Sequence, residues 1–262
     1  MFPEEPPEDK TTKSPHKIVI TEIKDGAFDL SDIQTLLANK KNALTRLSEE
    51  GKGDFRSEEC IELLKEADII ASNPPFSLFR EYIYQLIKYD KKFIVIGDKN
   101  AITYKEIFSH IKENKLWLGY TMHSGEMKMR VFEELKGCKR DVDGKLYKGM
   151  GVRWFTNLDH KKRHEEIILY EHYTPEKYPK YDNYDAINVD KVTEIPCDYD
   201  GAMGVPITFM DKYNPEQLEI LDARDFGKTE KQKTKSTLLI KDTDGKINGK
   251  ATYARILIRR KK

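Results

Sequence analysis

Two apolar runs, each followed by a helical pattern, constrain this chain more than anything else in it. Asp68-Ile69-Ile70-Ala71-Ser72 reads as a buried strand, and Asn73-Pro74-Pro75-Phe76 follows it directly. Ser77-Leu78-Phe79-Arg80-Glu81-Tyr82-Ile83 then opens a helix whose apolar face carries Leu78, Tyr82, Ile83, Leu86 and Ile87. A second apolar strand, Phe93-Ile94-Val95-Ile96, ends in Gly97, and Tyr104, Ile107, Phe108 and Ile111 mark another helix. Alternating strands and helices with apolar strands predict an α/β fold with a parallel sheet. Open sheets of this kind bind ligands beyond the carboxyl ends of their strands. Asn73–Phe76 falls at such an end.

The turn has a definite chemistry. Pro74 and Pro75 fix φ, remove two backbone donors and restrict the residues before them. The result is a stiff turn whose carbonyls have few local partners. Asn73 adds an acceptor oxygen and Phe76 an exposed ring. Together they suit an exocyclic amine on a flat base. Pro-Pro alone is a common loop punctuator, and Asn at a strand end a common turn former. The strand before and the amphipathic helix after favour the functional reading.

Asp68 through Phe76 resembles the catalytic motif of S-adenosylmethionine-dependent N6-adenine DNA methyltransferases, Asp/Asn/Ser-Pro-Pro-aromatic. Gly53–Cys60 together with Asn73–Phe79 resembles, more narrowly, the EcoRI family of adenine-specific methyltransferases. So do Val152–Leu158 and Gly204–Pro215. The resemblance runs from about Lys17 to the C-terminus. It implies a Rossmann-like methyltransferase sheet and methylation of adenine N6 in double-stranded DNA, as the modification part of a restriction-modification system. It implies that the Asn73 side-chain oxygen and the Pro74 carbonyl accept the two hydrogens of the amine, on a turn stiffened by Pro75. Phe76 then stacks on an adenine flipped out of the duplex. Asp54 and Phe55 resemble the pair that contacts the adenine of the cofactor, S-adenosylmethionine, with Phe79 completing the pocket. A helix-preceding turn with a buried Phe is the plainer reading of Asp54-Phe55, and Phe79 also fits a core position. Trp154 or Phe155 is the candidate second ring against the flipped base. The same motif chemistry serves RNA or a glutamine amide, and the blocks outside the motif point to DNA.

The chain has 262 residues, enough to bury a real core, and 46 basic against 45 acidic residues give a net charge of +1. That balance supplies no general attraction to nucleic acid, so a DNA face must be local. Candidates are His160–His164, then Lys228, Lys231, Lys233 and Lys235, then Arg259–Lys262. Each also fits a solvated loop or tail. Mean hydropathy is −0.70 and no apolar run approaches membrane-spanning length. Met1–Pro7 is acidic and proline-rich, unlike a signal peptide. Cys60, Cys138 and Cys197 are scattered. They fit a reducing cytoplasm and argue against a disulfide framework or a zinc site. His160 and His164 have the spacing of a zinc pair, but no Glu follows His160 and the run is basic. Asp141-Val142-Asp143-Gly144 echoes a calcium loop without its remaining ligands and reads as a hairpin turn. The expectation is therefore no metal and no membrane partner.

Three regions are expected. Residues 1–16 read as disordered, 17–115 as the α/β core with the catalytic turn, and 116–262 as a β-rich continuation and DNA-recognition region. Within them, Lys17–Ile23 reads as a strand and Leu30 to about Leu47 as a helix. Ser57 is the N-cap of a helix to about Ala67. Leu116–Tyr120, Lys128–Phe132, Val152–Leu158 and Glu166–Tyr170 read as strands. Glu216–Leu221 reads as a short helix, and Thr237–Lys241 with Ala251–Arg259 as a terminal hairpin. None of Gly51-Lys52-Gly53, Gly149-Met150-Gly151 or Gly201–Gly204 fits the glycine-rich turn that holds the methionine part of the cofactor. The resemblance implies that such a turn lies in a further N-terminal segment, ahead of the region matching Lys17 onward. The expectation is a sheet lacking its first strands, weak or absent cofactor binding, and no methyl transfer by this chain alone. A remnant without catalysis is the competing reading.

Overall fold

The computed structural model describes residues 16–20, 43–47, 53–120, 127–131, 136–229, 238 and 245–261. Two compact units divide the chain, residues 1–68 and 69–262. Of the stretch 1–16 expected to be disordered, residues 1–15 lie outside the described residues and His16 begins a strand.

In the first unit, β1 (His16–Val19) pairs antiparallel with β2 (Ala43–Arg46), Ile18 opposite Leu44. The helix expected to run to about Leu47 is therefore a strand at its end. Its apolar residues there fit either period, and the β1 ladder decides between them. Residues 21–42 are outside the described set. Helix α1 (Glu58–Glu66) starts as expected: the Ser57 side chain accepts from Cys60 N at 3.3 Å, with Glu58 and Glu59 in the positive first turn.

The second unit holds the predicted strand–helix–strand. β3 (Ile69–Ser72) and β4 (Lys92–Asp98) are parallel, with Ser72 opposite Val95, and helix α2 (Phe79–Lys88) connects them. α2 buries Phe79, Ile83 and Leu86, and helix α3 (Lys105–Lys112) buries Ile107, Phe108 and Ile111. Both helices end on a non-glycine residue in the left-handed region, Asp90 at φ 52° and Asn114 at φ 58°. Lys91 N then reaches Leu86 O and Lys115 N reaches His110 O, the six-to-one bond that closes a helix C-terminus.

The strand order is β3-β4-β9-β5, with β9 at Val152–Thr156 and β5 at Trp117–Leu118. β9 runs antiparallel to both its neighbours, so the sheet is mixed rather than parallel throughout. The change of pattern expected at residue 115 is not a break in this sheet, because β5 and β9 come from beyond it. β3 is also not the buried strand expected: it lies at the edge and Ile69 is 54% exposed. An apolar run records burial against a layer, but not which strand ends the sheet. Among the described residues no strand pairs with its outer side.

Asn157 ties β9 to the start of β4. Its Oδ1 accepts from Phe93 N and its Nδ2 donates to Lys91 O, both at 2.8 Å. Asn157→Ala leaves a half-buried donor and acceptor without these partners. We expect a loss of about 1–2 kcal/mol and a thermal midpoint lower by roughly 3–6 °C, read by circular dichroism. An unchanged midpoint would remove this bridge from the stabilising contacts.

A second sheet has the order β10 (Ile187–Asn188), β11 (Met203–Pro206), β15 (Arg255–Arg260), β12 (Leu218–Ile220). β12 replaces the short helix expected over Glu216–Leu221. A short apolar run fits both periods, and pairing with β15, Glu219 opposite Arg259, selects the strand. β15 likewise pairs with β11 and β12, and of the Thr237–Lys241 partner expected for it only Leu238 is described. A hairpin does form just ahead of it. β13 (Lys246–Ile247) and β14 (Lys250–Ala251) turn at Asn248-Gly249, φ 50° and 75°, the two left-handed residues of a type I′ turn.

Glu166–Tyr170 is not a strand. Ile167 is served instead by the Gln217 side chain, whose amide meets its N at 2.9 Å and its O at 2.7 Å. Antiparallel strands β6 (Met127–Arg130), β8 (Leu146–Met150) and β7 (Lys139–Arg140) form a third sheet. Its tight turn is Asp141–Gly144, where Asp141 Oδ1 accepts from Asp143 N and Lys145 N. No helix among the described residues is long and apolar enough to cross a membrane.

Candidate functional site

Asn73 emerges at the carboxyl end of β3, beside the parallel strand that continues to Asp98. Pro74 is buried and anchors the turn, while Asn73, Pro75 and Phe76 are exposed. Pro75 has φ −55° and ψ 127°, and its carbonyl accepts from Leu78 N at 2.9 Å, which closes one 3-10 turn over Phe76–Leu78. Among the described residues neither the Asn73 side chain nor the Pro74 carbonyl has a hydrogen-bond partner. Two acceptors are thus held on rigid backbone without a partner among the described residues. The Phe76 ring, 42% exposed, stands next to them.

The turn rests on core. Phe79 is 1% exposed and its ring meets Phe155 edge-on, centroids 5.0 Å apart. Gly97 makes room: a Cβ there would lie 2.5 Å from the Phe79 ring and 2.9 Å from that of Phe155. Phe79, a candidate for the cofactor pocket, therefore spends its ring on the core beneath the turn. The same contact separates the two candidate stacking rings. Strand alternation buries Phe155 and puts half-buried Trp154 on the other face.

Asp54 and Phe55 belong to the first unit. Asp54 is gripped by Arg56: Oδ1 accepts from its N at 2.8 Å and its Nε at 2.9 Å, and Oδ2 from Nη2 at 2.8 Å. These bonds hold the carboxyl at a pKa of about 2. The same guanidinium lies 5.3 Å from the centre of the Phe55 ring. The pair presents a permanent carboxylate beside an aromatic ring, a donor-seeking edge and a flat face.

The basic stretches are less free than the sequence suggests. Arg163 is buried, not solvated, with its guanidinium 3.7 Å from the centre of the Trp117 ring and a bond to the Asn114 side chain. His164 sits between Asp159 and Glu216, whose hydrogen bonds raise its pKa, and His160 Nε2 faces the Leu118 carbonyl. Arg259 is paired with Glu219, and Arg260 bonds the Cys197 carbonyl. Lys228 is tied to the Tyr181 and Asp182 carbonyls. Lys231, Lys233 and Lys235 lie outside the described residues.

Sequence reading missed His172, Cys197 and Asp198, whose ligand atoms lie within 4.8 Å of one another. Twenty-five residues separate the His from the Cys, a spacing that matches no local motif.

Comparison with known proteins places the chain. The family model described as adenine-specific methyltransferase EcoRI matches residues 3–261. The chain belongs to that family. Type II methyltransferase M.EcoRI of Escherichia coli is 50% identical over 219 residues, which cover 81% of this chain and 63% of that protein. Type II methyltransferase M.MgeORF184P of Mycoplasma genitalium is 38% identical over 232 residues, 84% of this chain and 73% of that protein. Type II methyltransferase M.MpnI of Mycoplasma pneumoniae is 36% identical over 222 residues, 80% and 70%. The chain thus spans less than two thirds of the length of M.EcoRI. No solved structure matches it.

Proposed function

We propose that this chain carries the amine-binding site of an adenine-N6 DNA methyltransferase that uses S-adenosylmethionine, in the modification arm of a restriction-modification system. One observation carries the reading: the Asn73 side-chain oxygen and the Pro74 carbonyl, without a partner among the described residues, on a rigid turn at the carboxyl edge of a parallel strand pair. Family membership and the Type II methyltransferase relatives support it. We read β3, α2 and β4 as the part of a Rossmann-like sheet that presents this turn.

The N6 amine of adenine is a weak nucleophile because its lone pair is delocalised into the ring. Asn73 and Pro74 accept its two hydrogens, draw the nitrogen toward tetrahedral geometry and free the lone pair. S-adenosylmethionine, when bound, supplies a methyl group on an excellent leaving group, so holding the amine in line provides most of the acceleration. Phe76 stacks on the base once it leaves the duplex, and Trp154, rather than core-bound Phe155, is the ring available for the other face. Asp54 and Phe55 fit the adenine of the cofactor, carboxylate to amine and ring to ring. For Asp54 to do so, Arg56 must share or release it.

Incubating the protein with labelled S-adenosylmethionine and duplex DNA should place the label on adenine N6. Label found instead on RNA or on a glutamine amide would overturn the reading. Phe76→Ala should weaken capture of the extruded base more than binding of the methyl donor. Its ring is exposed, so its removal costs the fold little. In a duplex carrying 2-aminopurine at the target, we expect the extrusion signal to fall by at least about tenfold in apparent affinity, the equivalent of one stacking contact. An unaltered signal would remove Phe76 from the base pocket.

A further inference from the structure

Residues 171–173 and 196–199 run side by side, clamped by backbone and rings. Glu171 bridges Pro196 in parallel, and its carbonyl accepts from Cys197 N at 2.8 Å. Asp198 Oδ1 accepts from Tyr173 N at 2.8 Å, and the Tyr173 and Tyr199 rings lie 4.7 Å apart. On this scaffold His172 Nδ1 stands 2.9 Å from Asp198 Oδ2 and 3.8 Å from Cys197 Sγ.

Those two separations lie near the corresponding edges of a metal tetrahedron, and all three ligand atoms lie within 4.8 Å of one another. Zinc–nitrogen, zinc–oxygen and zinc–sulfur bonds place N and S about 3.6 Å apart and N and O about 3.3 Å apart. The observed distances differ from these by a few tenths of an ångström. A proton relay needs another arrangement, in which the imidazole gives one nitrogen to the thiol and the other to the carboxylate. Here Nδ1 faces both, so one proton or one cation must serve both.

We propose that His172, Cys197 and Asp198 form a binding site for a soft divalent cation, zinc foremost, with a fourth position open to water. Nitrogen, thiolate and carboxylate are the donor types zinc takes. On binding, the imidazole carries its proton on Nε2, which is free to face solvent because the side chain is 75% exposed. The Cys197 thiol gives its proton to solvent. The ion staples the two segments and fixes the Cys197 carbonyl that Arg260 bonds.

The test uses the whole chain, stripped of metal and without DNA or methyl donor, so that it stands apart from any result on methyl transfer. Titration with cobalt(II) should raise a thiolate-to-cobalt absorption band at about one equivalent, and zinc should displace it. Cys197→Ser should abolish the band, and His172→Ala and Asp198→Asn should each weaken zinc binding by at least about tenfold. Asp198→Asn keeps an oxygen for the Tyr173 amide and so guards against mere unfolding, which circular dichroism checks in all three. Cys60→Ser combined with Cys138→Ser should keep the band. A band that survives Cys197→Ser, zinc binding indifferent to His172→Ala, or no metal uptake by the folded chain would overturn the site.

Discussion

Asn73→Ala should reduce methyl transfer by any active form of this protein by about a hundred- to ten-thousandfold, the range for losing one positioned group that acts on the reacting atom. The fold should not notice. Asn73 is exposed at the strand end, and no described residue depends on its side chain for a hydrogen bond. Surface substitutions of that kind stay within roughly half a kcal/mol. The loss should fall on turnover, because the acceptor acts on the nitrogen as its lone pair localises and contributes little to holding the base in the ground state. Asn73→Asp keeps an acceptor oxygen at the same place and should retain part of the activity. Transfer of a tritiated methyl group to duplex DNA, alongside a thermal melt, separates the outcomes. Near-normal turnover by the alanine variant, with an unchanged melt, would sink the assignment of this turn.

The turn was legible in the sequence because its message is local. A strand, two prolines and an amphipathic helix fix backbone by φ restriction and periodicity, and Ile69–Ser72 and Phe79–Lys88 fall where those rules put them. What was not legible is pairing between distant segments. Nothing local says that β3 ends its sheet among the described residues or that β9, some fifty residues downstream, returns antiparallel against β4. Leu218–Ile220 reads as either helix or strand until β15 arrives beside it. Ile167 illustrates the opposite failure, since an apolar stretch can have its backbone satisfied by one Gln side chain instead of a strand. The His172–Cys197–Asp198 group has the same cause: a parallel bridge between Glu171 and Pro196 creates it, and no residue near His172 announces it. Charge was misleading for a physical reason as well. Arg163 looked solvated in a basic run, yet a guanidinium can be buried when it lies flat on an indole and donates to a side-chain oxygen.

Gly97→Val should strongly damage the core that supports the Asn73–Phe76 turn. Gly97 is the last buried position of β4, and even one added carbon there would lie 2.5 and 2.6 Å from two atoms of the Phe79 ring and 2.9 Å from the Phe155 ring. No real contact is that short, and these are ring atoms of two fully buried side chains, so rotation about a flexible bond does not relieve it. Overpacking of a dense core costs about 1–3 kcal/mol and occasionally more, and valine adds two methyls beyond the carbon already in collision. We expect a loss of about 3 kcal/mol and a thermal midpoint lower by roughly 6–12 °C. Methyl transfer should fall with it, because Phe79 begins the helix that follows Phe76 and cannot shift without moving the turn. Gly97→Ala should do the same to a smaller degree, and Phe79→Leu should partly rescue it by withdrawing the ring. That rescue decides what Phe79 does. If its ring serves the core, Phe79→Leu alone lowers the midpoint, and its effect with Gly97→Ala is strongly non-additive. If the ring touches the methyl donor instead, Phe79→Leu weakens donor binding at an unchanged midpoint and gives Gly97→Ala no relief, which would return Phe79 to the cofactor pocket.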